Sequence, residues 1–362
     1  MYRRASLAAV AAIFLVSGCG GGDNAPVAAS APDHSPAVAR AKKARVPDWP
    51  MFGVNTARAS HYAGKVGINA DNARTLERAR IALPGTVDSS PIFLHAVRVE
   101  GKRRDVIVVT TTYGRTLALA AYTGKQLWSF VPPGSAKLEG TPQITNASPA
   151  SDRRYVYAPS PTGVIYKLRL SDGHRDDARA WPVRVTKLPE REKLPSPLGI
   201  FGRYVVLTTD GYIGDTPPYQ SHYVAIDRAT GRRWIFNSQC SDRHELIDPE
   251  TCPESGGAMF GRNSPVIDPR TRLAWTTTGN SKFDGETNWG DSVLGLTLRG
   301  RLRLSFTPTN QAHLDGNDID LGSTAPALLA NDLLLQGGKE GKLVVLSRSD
   351  PNGHGGAGAF TG

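Results

Sequence analysis

Long apolar runs are scarce in this 362-residue sequence. The most apolar run extends from Ala5 to Val16, just after Arg3 and Arg4, and it is too short to cross a bilayer as a permanent helix. A basic start followed by a short apolar stretch is typical of an export signal. We therefore expect an exported protein without a membrane-spanning segment in the rest of the chain.

Several motifs of common enzymes are also missing. The sequence contains no Gly-x-Ser-x-Gly, no His-Glu-x-x-His and no phosphate-cradling glycine loop, so hydrolase and nucleotide-binding functions have no support. The net charge is +10, yet basic residues do not alternate with aromatic residues along any one element. We predict that the protein does not bind nucleic acid.

Cysteine occurs three times, and each position is informative. Small residues directly before Cys19 resemble the lipobox that the bacterial lipoprotein signal peptidase cuts. The resemblance implies that residues 1–19 are a signal peptide and that Cys19 carries acyl chains such as palmitate, which would hold the protein to a membrane. Gly20 resembles the pattern for sorting to the outer membrane, on its periplasmic side. The alternative is a plain secretory signal with a chance cysteine.

The other two cysteines, Cys240 and Cys252, form an isolated pair in a chain that we expect to be exported. Such a pair favours a disulfide, which would close the intervening loop. Two free buried thiols are the alternative. A zinc site lacks ligands, since only His244 lies near enough to add one.

The composition divides the chain into a tether and a folded domain. Residues 20–47 are mostly Gly, Ala, Pro, Ser and scattered basic residues, which is typical of a flexible linker. Residues 48–362 are apolar enough to bury a large core, and we predict a single all-β domain there.

A repeated hairpin is the strongest signal in the sequence. An apolar strand leads into a turn that contains glycine, and a second strand follows, ending in Trp in the clearest copies. We expect the glycine to adopt positive φ and the Trp to pack between neighbouring sheets. Copies of decreasing clarity are 114–128, 221–234, 163–181, 291–306 and 341–352.

Each hairpin follows a second strand pair that opens near a proline, and four strands per repeat describe a β-propeller blade. We predict five blades, the fifth lacking its last strand, within a ring of seven or eight; the alternative is a closed five-bladed ring completed by a strand from Arg74 to Leu83. The predicted bounds are 86–133, 139–190, 194–238, 256–308 and 322–362.

The repeat resembles the tryptophan-docking motif of pyrroloquinoline-quinone dehydrogenases and of related propellers that bind no quinone. The likeness extends from about Asp48 to Asn352, and the fourth unit is the most dehydrogenase-like. It implies that Phe260, in Gly-Gly-Ala-Met-Phe-Gly, stacks on the quinone. It also implies that Asn280, which closes Thr-Gly-Asn, ligates calcium.

The same resemblance implies a catalytic base and a basic cofactor contact. The family's Asp-x-Asp matches Asp318 and Asp320, with Asp318 as the base and both as candidate metal ligands, and Asp315 is an alternative for the base. Lys339, before Gly341, matches the basic residue that contacts the quinone. The structural alternative is that these aspartates cap turns by binding backbone amides.

Two departures from the family weigh against catalysis. The third unit has Asp215 near the place of the metal-binding Glu, and the chain has no adjacent Cys-Cys pair. Our leading hypothesis is therefore a lipid-anchored binding or scaffold module that offers a propeller face to a partner protein. The competing hypothesis is a periplasmic dehydrogenase that uses pyrroloquinoline quinone and calcium to oxidise an alcohol or a sugar.

Overall fold

Short antiparallel strands form the framework of the fold, because apolar runs alternate with glycine turns along the chain. The computed structural model describes residues 46–62, 64, 66–212, 217–351, 353–354 and 359–360. Blade 1 is a sheet of β1 (Ile92–Val99), β2 (Lys102–Thr110), β3 (Thr116–Ala120) and β4 (Gln126–Phe130). Blade 2 consists of β5 (Ala150–Ser151), β6 (Tyr155–Ser160), β7 (Val164–Arg169) and β8 (Val183–Arg184).

Blades 3 and 4 repeat this order. The strands that lead into and form blade 3 are β9 (Glu192–Lys193), β10 (Gly199–Phe201), β11 (Tyr204–Thr208), β12 (Asp210–Gly211), β13 (His222–Asp227) and β14 (Arg233–Asn237), of which β9 and β12 pair apart from the blade. Blade 4 contains β15 (Val266–Ile267), β16 (Leu273–Thr277), β17 (Val293–Thr297) and β18 (Leu302–Thr307).

Blade 5 is complete, contrary to our prediction. Its strands are β19 (Ala327–Leu328), β20 (Leu333–Gly337), β21 (Leu343–Ser347) and β23 (Ala359–Phe360), while β22 (Gly353–His354) pairs with β18 in parallel. The glycine-rich sequence had suggested a loop, but backbone pairing with β21 needs no large side chains. The proposed closing strand from Arg74 to Leu83 does not form, since residues 76–83 lie outside any strand.

Helix is rare among the described residues, as the sequence predicted. One α-helix, α1 (Gln311–Gly316), connects blades 4 and 5. Four single-turn 3-10 helices span Ala73–Thr75, Ser135–Leu138, Pro249–Thr251 and Leu321–Ser323. None of the helices within these residues is long and apolar enough to cross a bilayer.

The core lies in layers between successive blades. Val106 and Val108 of blade 1 pack in one buried cluster with Val156 and Ala158 of blade 2, and corresponding clusters join each later pair of blades. This layering buries the faces of each sheet against its neighbours, which is how a propeller forms a core.

Tryptophan docking is confirmed at the first two of these interfaces. Trp128 of blade 1 lies against Gly173 in the turn of blade 2, and its indole N–H donates to Leu170 O at 2.9 Å. Trp181 of blade 2 likewise donates to Arg228 O of blade 3 at 3.2 Å. The turn glycines have positive φ, as predicted, with 74° at Gly173.

A segment with several turns, residues 46–60, contacts the start of four blades. Trp49 pairs with Phe93 of blade 1, and Pro50 O accepts from Ser151 N of blade 2 at 2.8 Å. The guanidinium of Arg58 donates to Pro197 O before blade 3 at 2.9 Å, and Thr56 O accepts from Ile267 N of blade 4 at 2.8 Å. The segment therefore ties together the inner edges of four blades.

The predicted disulfide between Cys240 and Cys252 is present, with Cα atoms 6.2 Å apart. It closes the loop between blades 3 and 4. Cys19 and the rest of residues 1–45 lie outside the described residues.

Candidate functional site

The candidate site lies where blade 4 connects to blade 5. Asn280 follows β16, and Asp320 immediately precedes the 3-10 helix Leu321–Ser323. The backbone N–H of Asn280 donates to Asp320 Oδ1 at 2.8 Å. A Cβ atom at Gly279 would collide with this carboxylate, so glycine is what allows the two loops to approach.

Phe260 packs at the same place. Its Cε1 atom lies 3.2 Å from where a Cβ atom on Gly279 would be, and its side chain is half-buried. The structure thus brings the predicted aromatic platform, Phe260, against Gly279, the residue directly before the predicted metal ligand, Asn280.

Lys339 connects the two aspartates of the Asp-x-Asp motif. Its ammonium forms an ion pair with Asp320 and another with Asp318 Oδ1 at 3.0 Å. Partial burial alone would lower the pKa of Lys339, but the hydrogen bonds that its ammonium donates to Asp320 and Asp318 outweigh this effect and raise the pKa. Lys339 is therefore firmly protonated, and Asp320 is its buried counterion.

The three aspartates predicted near the site differ in exposure. Asp320 is fully buried, whereas the side chain of Asp318 is 69% exposed, and its hydrogen bond with Lys339 lowers its pKa. Asp315 lies on α1, where partial burial raises its pKa and the charges of Glu254 and Asp320 add to the effect. Asp318 is accessible to a ligand, and Asp320 serves to hold its neighbours.

Asp291 belongs to the same region, although the sequence did not single it out. Its side chain is fully buried, and Oδ1 accepts from Leu321 N at 3.0 Å. Burial raises the pKa of Asp291 to about 7, and the nearby charges of Asp320 and Asp315 contribute. In the sequence, Asp291 ends the tripeptide Trp-Gly-Asp, which gives no indication that its side chain is buried.

Loops from distant blades meet near this site. Arg262, two residues after Phe260, donates through Nη1 to Asp88 Oδ1 of the loop before blade 1 at 3.2 Å. Asp88 also accepts from the side-chain amide of Asn146, before blade 2. Because blades 1 and 4 are not neighbours, these contacts place the loop that carries Phe260 on the inner side of the blade array.

The oxygen ligands available for a metal are few. Within the described ranges, no group of three or more His, Cys, Asp or Glu side chains is placed to hold a metal ion. Asn280 Oδ1, however, is buried and has no hydrogen-bond partner there, so its lone pairs are available. Asp215, the weak match to the family's metal-binding Glu, lies outside the described residues.

Comparisons with known proteins give a consistent result. No family model matches this chain. The quinohemoprotein alcohol dehydrogenase of Comamonas testosteroni is 23% identical over 354 residues, which cover 86% of this chain and 46% of that protein. Its crystal structure superposes with a TM-score of 0.64, at 20% identity over 89% of this chain and 50% of the other.

Two further solved structures have the same likeness. The quinohemoprotein alcohol dehydrogenase ADHIIG from Pseudomonas putida HK5 gives a TM-score of 0.65, at 18% identity over 84% of this chain and 47% of that one. A europium-containing methanol dehydrogenase gives a TM-score of 0.64, at 18% identity over 84% of this chain and 57% of that one. The chain spans about half the length of the relatives that it matches. Its predicted resemblance is confirmed: this protein has the β-propeller fold of the quinoproteins.

Proposed function

We propose that this chain carries part of the cofactor and substrate site of a pyrroloquinoline-quinone-dependent alcohol dehydrogenase. The observation that carries the proposal is the convergence of Phe260, Asn280, Asp320 and Lys339 at one point. The four residues come from separate loops, and a propeller kept only for its surface has no need to assemble them. We therefore favour the enzyme over the scaffold module that the sequence first suggested.

The residues present fit the two groups that such an enzyme needs. Calcium binds six to eight oxygen atoms, and Asn280 Oδ1 together with the Asp320 carboxylate would contribute to that shell. Phe260 offers a half-buried ring for a flat cofactor, while Lys339 offers a cation for its anionic groups. The remaining calcium ligands would come from the quinone, from water or from other parts of the protein.

The chain's own residues would divide the work between proton transfer and positioning. Pyrroloquinoline quinone, when bound, supplies the acceptor for the hydride of the alcohol. Asp318 is the proposed base, because its carboxylate is exposed to substrate and is kept ionised by Lys339. Asp320 positions Asn280 by accepting a hydrogen bond from the backbone N–H of Asn280. It positions Lys339 through the ion pair between them.

The test is titration of the full chain with pyrroloquinoline quinone in the presence of calcium, followed by quinone absorbance and by dye reduction with a panel of alcohols. We expect saturable binding and dye reduction. Asp318→Asn should retain quinone binding and lose dye reduction by at least about 100-fold, since general bases contribute that much or more. Asp315→Asn is the matched control and should remain active.

Loss of dye reduction in Asp315→Asn alone would transfer the role of base to that residue. Absence of quinone binding in the wild-type protein would reject the dehydrogenase and return the choice to a binding module with a protein partner. Asp320→Asn should weaken quinone binding itself, because it releases both Asn280 and Lys339.

We also propose that acylated Cys19 anchors the protein to the periplasmic side of the outer membrane. The support is the sequence before the cysteine, which resembles a lipobox. Cys19→Ala should move the protein from the membrane fraction to the soluble fraction. A variant that stays with the membrane would show that acylation is not the anchor.

A further inference from the structure

The interface between blades 3 and 4 departs from the tryptophan docking of the earlier blades. In blades 2 and 3, the backbone N–H of the turn glycine donates to the carbonyl oxygen of the residue four positions earlier. The pairs are Gly173 to Arg169 and Gly231 to Asp227. In blade 4, Gly300 donates to Thr297, only three positions earlier. The turn of blade 4 is therefore one residue shorter than its counterparts.

The shorter turn leaves the third tryptophan uncovered. Gly300 packs against the backbone of Ile235 and Phe236, whereas Gly173 packs on the ring of Trp128. Trp234 is consequently only half-buried. Beside it lies a cleft of about 630 Å³, which we call the Trp234 cleft; its lining includes Tyr204, Arg232, Trp234, Arg272, Arg299 and Arg301.

Four arginines give this cleft its charge, and all four are exposed. The guanidinium carbons of Arg232 and Arg299 lie 5.1 and 5.0 Å from the ring centroid of Trp234. Arg299 Nε also donates to Tyr204 Oη at 3.0 Å. The indole and the tyrosine thus hold two of the guanidinium groups at the cleft.

Acidic residues do not neutralise these charges. No Asp or Glu lines the cleft, and none of the four arginines forms an ion pair with any carboxylate of the described residues. Like charges held together repel, so a bound anion with several charges would relieve the repulsion. The guanidinium fork matches phosphate oxygens in pairs, which favours phosphate over a single carboxylate.

We propose that the Trp234 cleft binds a small, multiply phosphorylated ligand. Its volume lies in the range of pockets for small molecules. Because Arg232 and Arg299 already lie over the indole ring, binding depends on the charges of the ligand more than on stacking. The inference is independent of the quinone site, which lies between other loops.

Inorganic tripolyphosphate is the probe for the test, by calorimetry at a fixed ionic strength. We expect saturable binding with a Kd below about 1 mM. The double variant Arg299→Gln, Arg301→Gln should raise the Kd at least about tenfold, because two of four guanidinium groups are lost. The matched control is Arg78→Gln, Arg80→Gln, which removes the same charge from an exposed segment outside the cleft.

Several outcomes would overturn the proposal. If both double variants weakened tripolyphosphate binding equally, the attraction would come from the overall positive charge and not from the cleft. Absence of saturable binding to the wild-type protein would show that the cleft is not a phosphate site. Polyglutamate that binds more tightly than tripolyphosphate would indicate an acidic protein partner instead. Quenching of tryptophan fluorescence by tripolyphosphate should vanish in a folded Trp234→Phe variant, and quenching that persists would place the ligand elsewhere.

Discussion

Between blades 1 and 2 and between blades 2 and 3, a buried indole docks onto the turn of the next blade, whereas between blades 3 and 4 the corresponding indole lies half-exposed beside arginines. Trp128 and Trp181 are almost fully buried and each donates to a backbone carbonyl of the next blade. Trp234 lies half-exposed among arginines, and the buried pair Arg348–Asp268 links blades 4 and 5 at 2.8 Å. The same repeat can therefore support either kind of interface, depending on the length of one turn.

The largest expected effect concerns the indoles themselves. Trp128→Ala should lower the free energy of unfolding by about 3–5 kcal/mol, the range for removing a buried aromatic side chain. Trp234→Ala should cost roughly 1 kcal/mol, since its side chain is only half-buried. Urea unfolding of both variants measures the difference, and similar losses would mean that the two interfaces are equivalent.

The stability of the protein should depend on pH through Asp291, the buried carboxyl group just before β17 of blade 4. Its pKa is raised to about 7 by burial, whereas the unfolded chain ionises near 4. The folded state therefore holds a proton that the unfolded state releases, and stability should fall by up to about 2–4 kcal/mol as pH rises from 4 to 8. Asp291→Asn should flatten this slope in urea unfolding. A slope that is unchanged in the variant would assign the pH dependence to other groups.

The turn glycines of blades 2 and 4 should differ in how well they tolerate a side chain. Gly173→Ala forces a side chain into positive φ and places a Cβ atom 2.7 Å from the ring of Trp128, so we expect a loss of about 2 kcal/mol. Gly300→Ala has the same backbone strain, but its added Cβ atom would lie 3.3 Å from the nearest atom. We therefore expect the free energy of unfolding to fall by only about 1 kcal/mol. Thermal unfolding of the pair checks the order, and a larger loss at Gly300 would contradict it.

The smallest effect on stability should come from lengthening the turn of blade 4. Insertion of one threonine between Arg299 and Gly300 would restore the turn length of blades 2 and 3. We expect the indole of Trp234 to become less accessible to a fluorescence quencher, with a change in stability within about 1 kcal/mol. Tripolyphosphate binding should weaken at the same time. Unchanged accessibility would show that turn length does not control docking.

Sequence reasoning recovered the parts of the fold that depend on local patterns. Strands, turn glycines and the disulfide follow from short-range rules, and Trp128 and Trp181 dock as the repeat predicted. The fourth strand of blade 5 was missed, because its sequence is rich in glycine and its pairing comes from β21.

The site was predictable only in part. Resemblance located Phe260, Asn280, Asp320 and Lys339, which the structure brings together. Burial of Asp291 and the arginines of the Trp234 cleft were not predicted, because they depend on which sheets meet. A search for basic and aromatic residues along one element does not detect a cleft whose lining comes from four strands and the turns between them.

The segment of residues 46–60 has a consequence for the order of folding. Arg58 donates to Pro197, 139 residues later in the chain, and Thr56 pairs with Ile267 beyond it. Residues 46–60 can therefore form all of these hydrogen bonds only after the strands of four blades have been synthesised. Contacts between residues so far apart close slowly, since the loop between them is long. Proteolysis during refolding should cut this segment after the sheets themselves have become protected.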